Sequence, residues 1–458
     1  MATNVLLIFP QPSQTSPQRS PPLSILHVGE ALREAKQRGV SDETYRVRYF
    51  DERYDEPPDI GWADIVGVSS ITGYQLRGAI RWLKAAKQAG KRTVLGGIHV
   101  TMQPEQCLSE DYVDAIVTHE GEWAFIDAIH GERKGNYSRH LAGTADHVSP
   151  VSDETLIHFR RSARTGDTIL MSSRGCRFRC AFCYNLRFFN RSWQEVDLAR
   201  WRRDVLRLKH ECGVTKLEHG DDWIGTWARA REIICFLHDN GIQYRPSIRA
   251  NQITDDVARE MKDLGIQYVS IGMETASPRI LELTNKDITV DDQITCAHSL
   301  ARYGIHPLYY WVTGLPTETP AEINETLDQA DRMWDIHNGN LTQNFYAYLA
   351  LPGSALWDMV DQSRLPHTME EWSHYSLNQT DNELASNLYH IGGLSFHRGK
   401  GDKTDRNFPG LRRWAIAPFE AAAAWRWTHR QFGHYRFEKC AIEFMLNRVA
   451  VHDKQGGW

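Results

Sequence analysis

No stretch of this 458-residue chain stays apolar for the length that a membrane-spanning helix needs. The N-terminal run Val5 to Phe9 is too short, and no basic segment precedes it as in a secretory signal, so the sequence predicts a cytoplasmic protein that touches no membrane. Dense Lys/Arg runs are also missing and the formal net charge is −5, which gives no reason to expect nucleic acid as a partner. Cysteine is sparse: Cys107, Cys212, Cys235, Cys296 and Cys440 stand singly, which excludes a small disulfide scaffold. Cys235, in "REIICFLHDNG", reads as a small buried hydrophobe. No internal repeat or long low-complexity tract interrupts the chain. What remains is one cluster, Cys176, Cys180 and Cys183 in "SSRGCRFRCAFCYN".

Apolar residues make up 41% of the chain, ample for ordinary cores. Over residues 1–135 short apolar runs alternate with amphipathic segments. "NVLLIF", "YRVRYFD", "ADIVGVSS", "KRTVLGG" and "AIVTHEGE" read as strands, and "SILHVGEALREAKQRG" and "YQLRGAIRWLKAAKQAG" as helices. This rhythm predicts an α/β fold with a doubly wound, Rossmann-like parallel sheet, whose ligands lie at the carboxyl ends of the strands. Residues 136–166 are polar and broken by Gly and Pro, and read as a linker. Alternation resumes over 167–370 with "TILMSS", "VTKLEHG", "IQYRPSIRA", "IQYVSIGME", "HPLYYWVTG" and "TQNFYAYLAL", which fits a partial (β/α)6 barrel or a second open sheet. Residues 371–458 turn irregular and then helical, with an aromatic-rich stretch that reads as helix packing.

The cysteine motif follows directly on the strand "TILMSS", where barrels place their chemistry. Three thiolates in so short a segment can face one point. A cubane iron–sulfur cluster held by three cysteines keeps one iron open. A zinc site would need a fourth ligand such as His158, His210 or His219, and no second cysteine block is present. Gly175 allows a tight turn off the strand. Arg177 and Arg179 lie between the cysteines, either offsetting cluster charge or standing in solvent.

The C-x3-C-x2-C spacing, with Phe182 before the last cysteine and Tyr184 after it, resembles the radical S-adenosylmethionine (SAM) superfamily. The resemblance implies a [4Fe-4S] cluster on Cys176, Cys180 and Cys183. SAM would bind at the open iron and be cleaved by one electron from the cluster, and the adenosyl radical would take a hydrogen atom from a substrate. It extends through later segments. "EHGDDWI" stands where the family has a Gly-Gly-Glu-type segment meeting the SAM amino group, which makes Asp221 or Asp222 the carboxylate there, with an N-cap as the structural alternative. Arg249 in "SIRAN" suits a SAM carboxylate or ribose contact, or a salt bridge. "SIGMETAS" implies a SAM or substrate contact for Glu274. "TGLPTET" implies a helix start at Glu318-Thr319, and "YLALPGS" places Leu349 by the adenine. Tyr184 joins this cofactor-binding set.

The front domain resembles the cobalamin-binding domain fused to many radical SAM proteins, through "PPLSILHVGEALRE", "ADIVGVSSITG", "LGGIHVTMQPE" and "DAIVTHEGE". Asp-x-His-x-x-Gly, the motif that ligates cobalt, is absent. His27 falls inside the first helix and His99 at a strand end, with the wrong flanks, so cobalamin is either held without such a ligand or not held. This compact pairing of domains resembles the radical SAM dehydratases of aminoglycoside biosynthesis. That implies hydrogen abstraction at C4′ of an amino sugar such as paromamine and loss of the 3′-hydroxyl as water, with a flavodoxin or ferredoxin as electron donor and an NADPH-dependent reductase as partner. The acid–base groups expected near strand ends are Asp221, Asp222, Glu274, His219 and Tyr310, with Tyr309 and Tyr346 beside them. The alternative is a cobalamin-dependent radical SAM methyltransferase acting on another natural product. A non-catalytic iron–sulfur or zinc module does not explain the run of SAM-binding segments.

Overall fold

The computed structural model describes residues 2–13, 19–141, 143–166, 168–375 and 421–432. The first apolar run forms β1 (Thr3–Phe9), followed by α1 (Leu23–Glu34), β2 (Tyr45–Asp51), β3 (Ile65–Ser69), α2 (Gln75–Gln88) and β4 (Arg92–Gly96). Next come α3 (Ile98–Met102), α4 (Pro104–Ser109), β5 (Ala115–His119), α5 (Gly121–His130) and β6 (Gly135–Arg139). The strands form one six-stranded sheet in the order β2-β1-β3-β4-β5-β6, parallel throughout. Val5 to Ile8 are buried because helices cover both faces of β1, which is why this strand reads as an unbroken apolar run. At the edge, β2 exposes Arg46 and Arg48 and alternates accordingly. The strand order reverses beside β1, where such sheets open a crevice at their carboxyl ends.

The linker expected over 136–166 is corrected. β6 pairs with β5, and α6 (Leu156–Ala163) buries Leu156 and Phe159. An edge strand reading "GNYSR" has no apolar run to announce it.

Two compact units divide the chain. One comprises 1–178, 182–223 and 351–375; the other comprises 179–181, 224–350 and 376–458. The first unit continues with β7 (Ser173–Gly175), α7 (Asn185–Phe188), β8 (Trp193–Glu195), α8 (Leu198–Cys212) and β9 (Lys216–Glu218). Ile169 pairs in parallel with Glu218. The second unit holds α9 (Trp227–Asp239), β10 (Gln243–Arg245), α10 (Asp255–Asp263), β11 (Tyr268–Glu274), α11 (Pro278–Thr284) and α12 (Val290–Arg302). It ends with β12 (His306–Thr313), α13 (Pro320–Ile336) and β13 (Thr342–Ala347). β11, β12 and β13 are neighbours in a parallel sheet over a core of Ile271, Met273, Tyr309, Trp311 and Phe345. The strand–helix repeat thus runs in the expected order, and the fold class is the α/β one read from the sequence.

A further short helix, α14 (Met369–His374), belongs to the first unit. Its Met369 and Trp372 are fully buried in the core with Leu76, Ile80 and Val100. Of the C-terminal stretch expected to be helical, residues 421–428 are helical and 429–432 are not; residues 376–420 and 433–458, Cys440 included, lie outside the described residues.

Candidate functional site

The cysteine loop leaves β7 through Gly175, whose φ is +77° and where a Cβ would lie 2.3 Å from the Ser192 carbonyl oxygen. Only glycine takes this turn without displacing backbone. Cys176, Cys180 and Cys183 are half-buried and form no disulfide. Within the second unit, Ala181 N donates to Thr284 O at 2.7 Å, Asn285 Nδ2 donates to Arg179 O at 3.1 Å, and Arg249 Nη1 donates to Cys180 Sγ at 3.7 Å. Arg177, for which two roles were open, stacks 4.4 Å over the Trp223 ring. Among the described residues, no three His, Cys, Asp or Glu side chains close around a single ion as the zinc alternative would need. A cubane is wider than an ion and takes its thiolates further apart.

The two adjacent aspartates differ. Asp221 is buried and accepts from Ser172 N at 2.9 Å, Ser172 Oγ at 3.1–3.2 Å, Ser173 Oγ at 2.6 Å, and Ser173 N. It binds the chain entering β7. Asp222 instead accepts from the Tyr184 hydroxyl at 3.1 Å and borders a cavity together with Tyr184, His219 and Gly220.

That cavity, of about 480 Å³, lies wholly within the first unit. Its lining includes Gly67, Ser69 and Ser70 in and just after β3, and Gly96 and Gly97 at the end of β4, with Leu7, Phe9 and Phe125 among its apolar residues. Gly97 has φ +107°, and a Cβ there would lie 2.3 Å from Ser70 O, so two loops touch through bare backbone. Small residues and apolar side chains together line a cavity of the size and polarity of small-molecule sites.

His27, Glu120, Glu122 and Arg174 form a polar corner of the cavity. Arg174 pairs with Glu120 at 3.4 Å and with Glu122. Burial pushes the Glu122 pKa up, but the Arg174 guanidinium and His27 outweigh it and leave the carboxyl at about 2. Burial, reinforced by Arg174, lowers His27 to about 3, and its Nδ1–H donates to Val148 O at 3.0 Å. His27 sits inside α1 as expected. His99, expected at a strand end, falls in α3, three residues past the end of β4, where it is fully buried, contacts Thr72 Oγ1 at 3.0 Å and does not line the cavity.

In the second unit, Glu274 ends β11 with φ +65° and pairs with the buried Lys286 at 2.6 Å. A non-glycine residue in that region is strained, and the ion pair with Lys286 holds it there. The Tyr310 hydroxyl lies 3.4 Å from Ser270 Oγ, and its ring centroid is 6.0 Å from that of Tyr346. Tyr309 is core, its hydroxyl 2.9 Å from His337 Nε2. Leu349 is half-buried in the irregular stretch after β13. Thr319 caps α13 in a capping box with Glu322, as the sequence suggests. Glu318 accepts from Gly314 N and Leu315 N, and burial raises it to about 7, a shift that no spacing announces.

Residues 170–330 match the Radical SAM superfamily and residues 14–129 match the B12 binding domain. An uncharacterised methyltransferase of Pyrococcus horikoshii is 28% identical over 442 residues, covering 86% of this chain and 92% of its own length. Cytidylyl-2-hydroxyethylphosphonate methyltransferase of Streptomyces wedmorensis is 23% identical, covering 64% and 66%. Among solved structures, the cobalamin-dependent S-adenosylmethionine radical enzyme OxsB with aqua-cobalamin bound superimposes with a TM-score of 0.65 at 15% identity, over 93% of this chain and 72% of that one. The methyltransferase TsrM of Kitasatospora setae, with cobalamin and a [4Fe-4S] cluster, gives 0.60 at 14%, over 99% and 100%. No helix among the described residues is long and apolar enough to cross a membrane. The chain is thus similar, in order along its sequence, to the B12 binding domain and to the Radical SAM superfamily.

Proposed function

We propose that this protein is a cobalamin-dependent radical SAM methyltransferase acting on a small molecule, with electrons from a flavodoxin or ferredoxin. The observation that carries the reading is the cavity of the first unit. It runs from Gly67, in the middle of the sheet, past Gly97 to Tyr184 and Asp222, immediately after the third cysteine. The methyltransferase names of the relatives favour this over the dehydratase expected from the compact architecture, and nothing in them points to an amino sugar.

When bound, the cluster supplies one-electron cleavage of SAM and cobalamin supplies methyl carriage. The chain's own residues have narrower tasks. Cys176, Cys180 and Cys183 hold the cluster as thiolates. Asp222, exposed beside Tyr184, offers a carboxylate to the SAM ammonium, whereas Asp221 is engaged with Ser172 and Ser173. The residues that would hold cobalamin are those lining the cavity at the ends of β3 and β4, Ser69, Ser70, Gly96 and Gly97, with Leu7 and Phe125 among its apolar lining. The sequence has no Asp-x-His-x-x-Gly, so no histidine of that motif would ligate the cobalt.

Reconstituted protein should take up hydroxocobalamin at about one per chain and release S-adenosylhomocysteine from SAM under reducing conditions. Full iron loading without cobalamin uptake would overturn the reading and return the dehydratase, for which loss of water from paromamine is the assay.

A further inference from the structure

Arg249 is nine-tenths buried and aimed at a cysteine sulfur. Its backbone is fixed on both sides. Ile248 N donates to Ser270 O of β11 at 3.0 Å, and Arg249 O accepts from Gln252 N at 3.0 Å, starting the 3-10 turn Ala250–Gln252. Cys180 is fixed as firmly. Its two neighbours in sequence, Arg179 and Ala181, are tied by hydrogen bonds to Asn285 and Thr284. The 3.7 Å contact between Arg249 Nη1 and Cys180 Sγ therefore joins two anchored segments rather than two mobile side chains.

A guanidinium stays protonated at any working pH and donates through a rigid fork. Hydrogen bonds to the sulfurs and the net charge nearby set the reduction potential of an iron–sulfur cluster. A buried cation that donates to a ligand thiolate favours the redox state with more negative charge, which is the reduced one.

We propose that Arg249 is a positioning residue that raises the reduction potential of the cluster on Cys176, Cys180 and Cys183 through its hydrogen bond to Cys180. This rests on the radical SAM reading of the loop. It assigns Arg249 to electron entry rather than to the SAM carboxylate. In the step concerned, one electron passes from an external one-electron donor to the cluster; no covalent bond forms or breaks and no proton moves.

The test is a redox titration of the reconstituted cluster, followed by EPR without SAM, on wild type, Arg249→Gln and Arg249→Lys, with iron counted per chain. Arg249→Gln should keep its iron and show a more negative midpoint. At fixed potential the reduced-to-oxidised ratio should fall about tenfold, about 59 mV for a one-electron couple. Arg249→Lys keeps the charge but loses the fork, so its midpoint should lie between the two. A wild-type midpoint in Arg249→Gln would overturn the proposal. If Arg249→Gln takes up no iron, Arg249→Lys decides: a downward shift supports the proposal and an unchanged midpoint overturns it. Wild type that binds no iron would instead sink the cluster assignment itself.

Discussion

Asp222 accepts a hydrogen bond from Tyr184 at 3.1 Å, so the residue after the third cysteine is tied to the carboxylate at the end of the following strand segment. Its neighbour Asp221 faces Ser172 and Ser173 and is spent on backbone. Asp222→Asn should therefore weaken SAM binding about tenfold or more, with iron content and melting temperature unchanged. Asp221→Asn should do the reverse. It loses charge-assisted bonds to buried donors, worth about 1–3 kcal/mol each, and should lower the melting temperature. Equilibrium dialysis with SAM and a thermal melt separate the two.

Gly97 meets Ser70 where a Cβ would stand 2.3 Å from a carbonyl oxygen, with φ at +107°. Gly97→Ala must move backbone and adopt a conformation that costs roughly 1–3 kcal/mol. Both loops line the cavity, so hydroxocobalamin uptake should fall together with stability. Gly39, whose φ is also positive but with no atom within 4 Å of its Cβ position, is the control, and Gly39→Ala should leave uptake intact.

The sheet was legible because its central strands are unbroken apolar runs and its helices carry an apolar stripe. β6 was not, because an edge strand needs only one paired side and "GNYSR" has little to bury. The cysteine loop stands out in the sequence by its spacing and its flanking Phe182 and Tyr184. The choice between Asp221 and Asp222 was not, because it depends on Ser172 and Ser173, far off in sequence. The same holds for Arg174, whose carboxylate partners Glu120 and Glu122 lie in the front domain. Tyr309 and Tyr310 alternate on β12, and only the structure shows the first buried in the core.

Burial holds the His99 and His337 pKa values at about 4, against 6.5 in a free histidine. In the unfolded chain both take up a proton near pH 6.5; in the folded chain they do so only near 4. The unfolded state thus binds more protons across that window. Stability should be complete above about pH 6.5 and fall as the pH drops toward 4, by on the order of a few kcal/mol in all. Urea melts at successive pH values should show this slope. His99→Gln and His337→Gln, which carry no titrating ring, should each flatten it. A slope unchanged in both variants would mean that other groups set it.

Trp372 lies far along the chain from the front sheet, yet it is fully buried in that sheet's core cluster. Its ring meets Tyr375 edge-on at 4.8 Å between centroids, Trp357 at 6.1 Å and His99 at 5.8 Å. The backbone of the same segment is tied back as well, with Arg77 Nε donating to Ser373 O at 3.3 Å. Trp372→Ala should cost about 3–5 kcal/mol, because so large a cavity cannot collapse between helix and sheet. Since His99 lies in α3, which directly follows Gly97, the loss should also loosen α3 and speed hydrogen exchange there. Trp372→Phe keeps an apolar ring and should recover most of the stability. If Trp372→Ala melts like wild type, α14 is not part of the front domain's core.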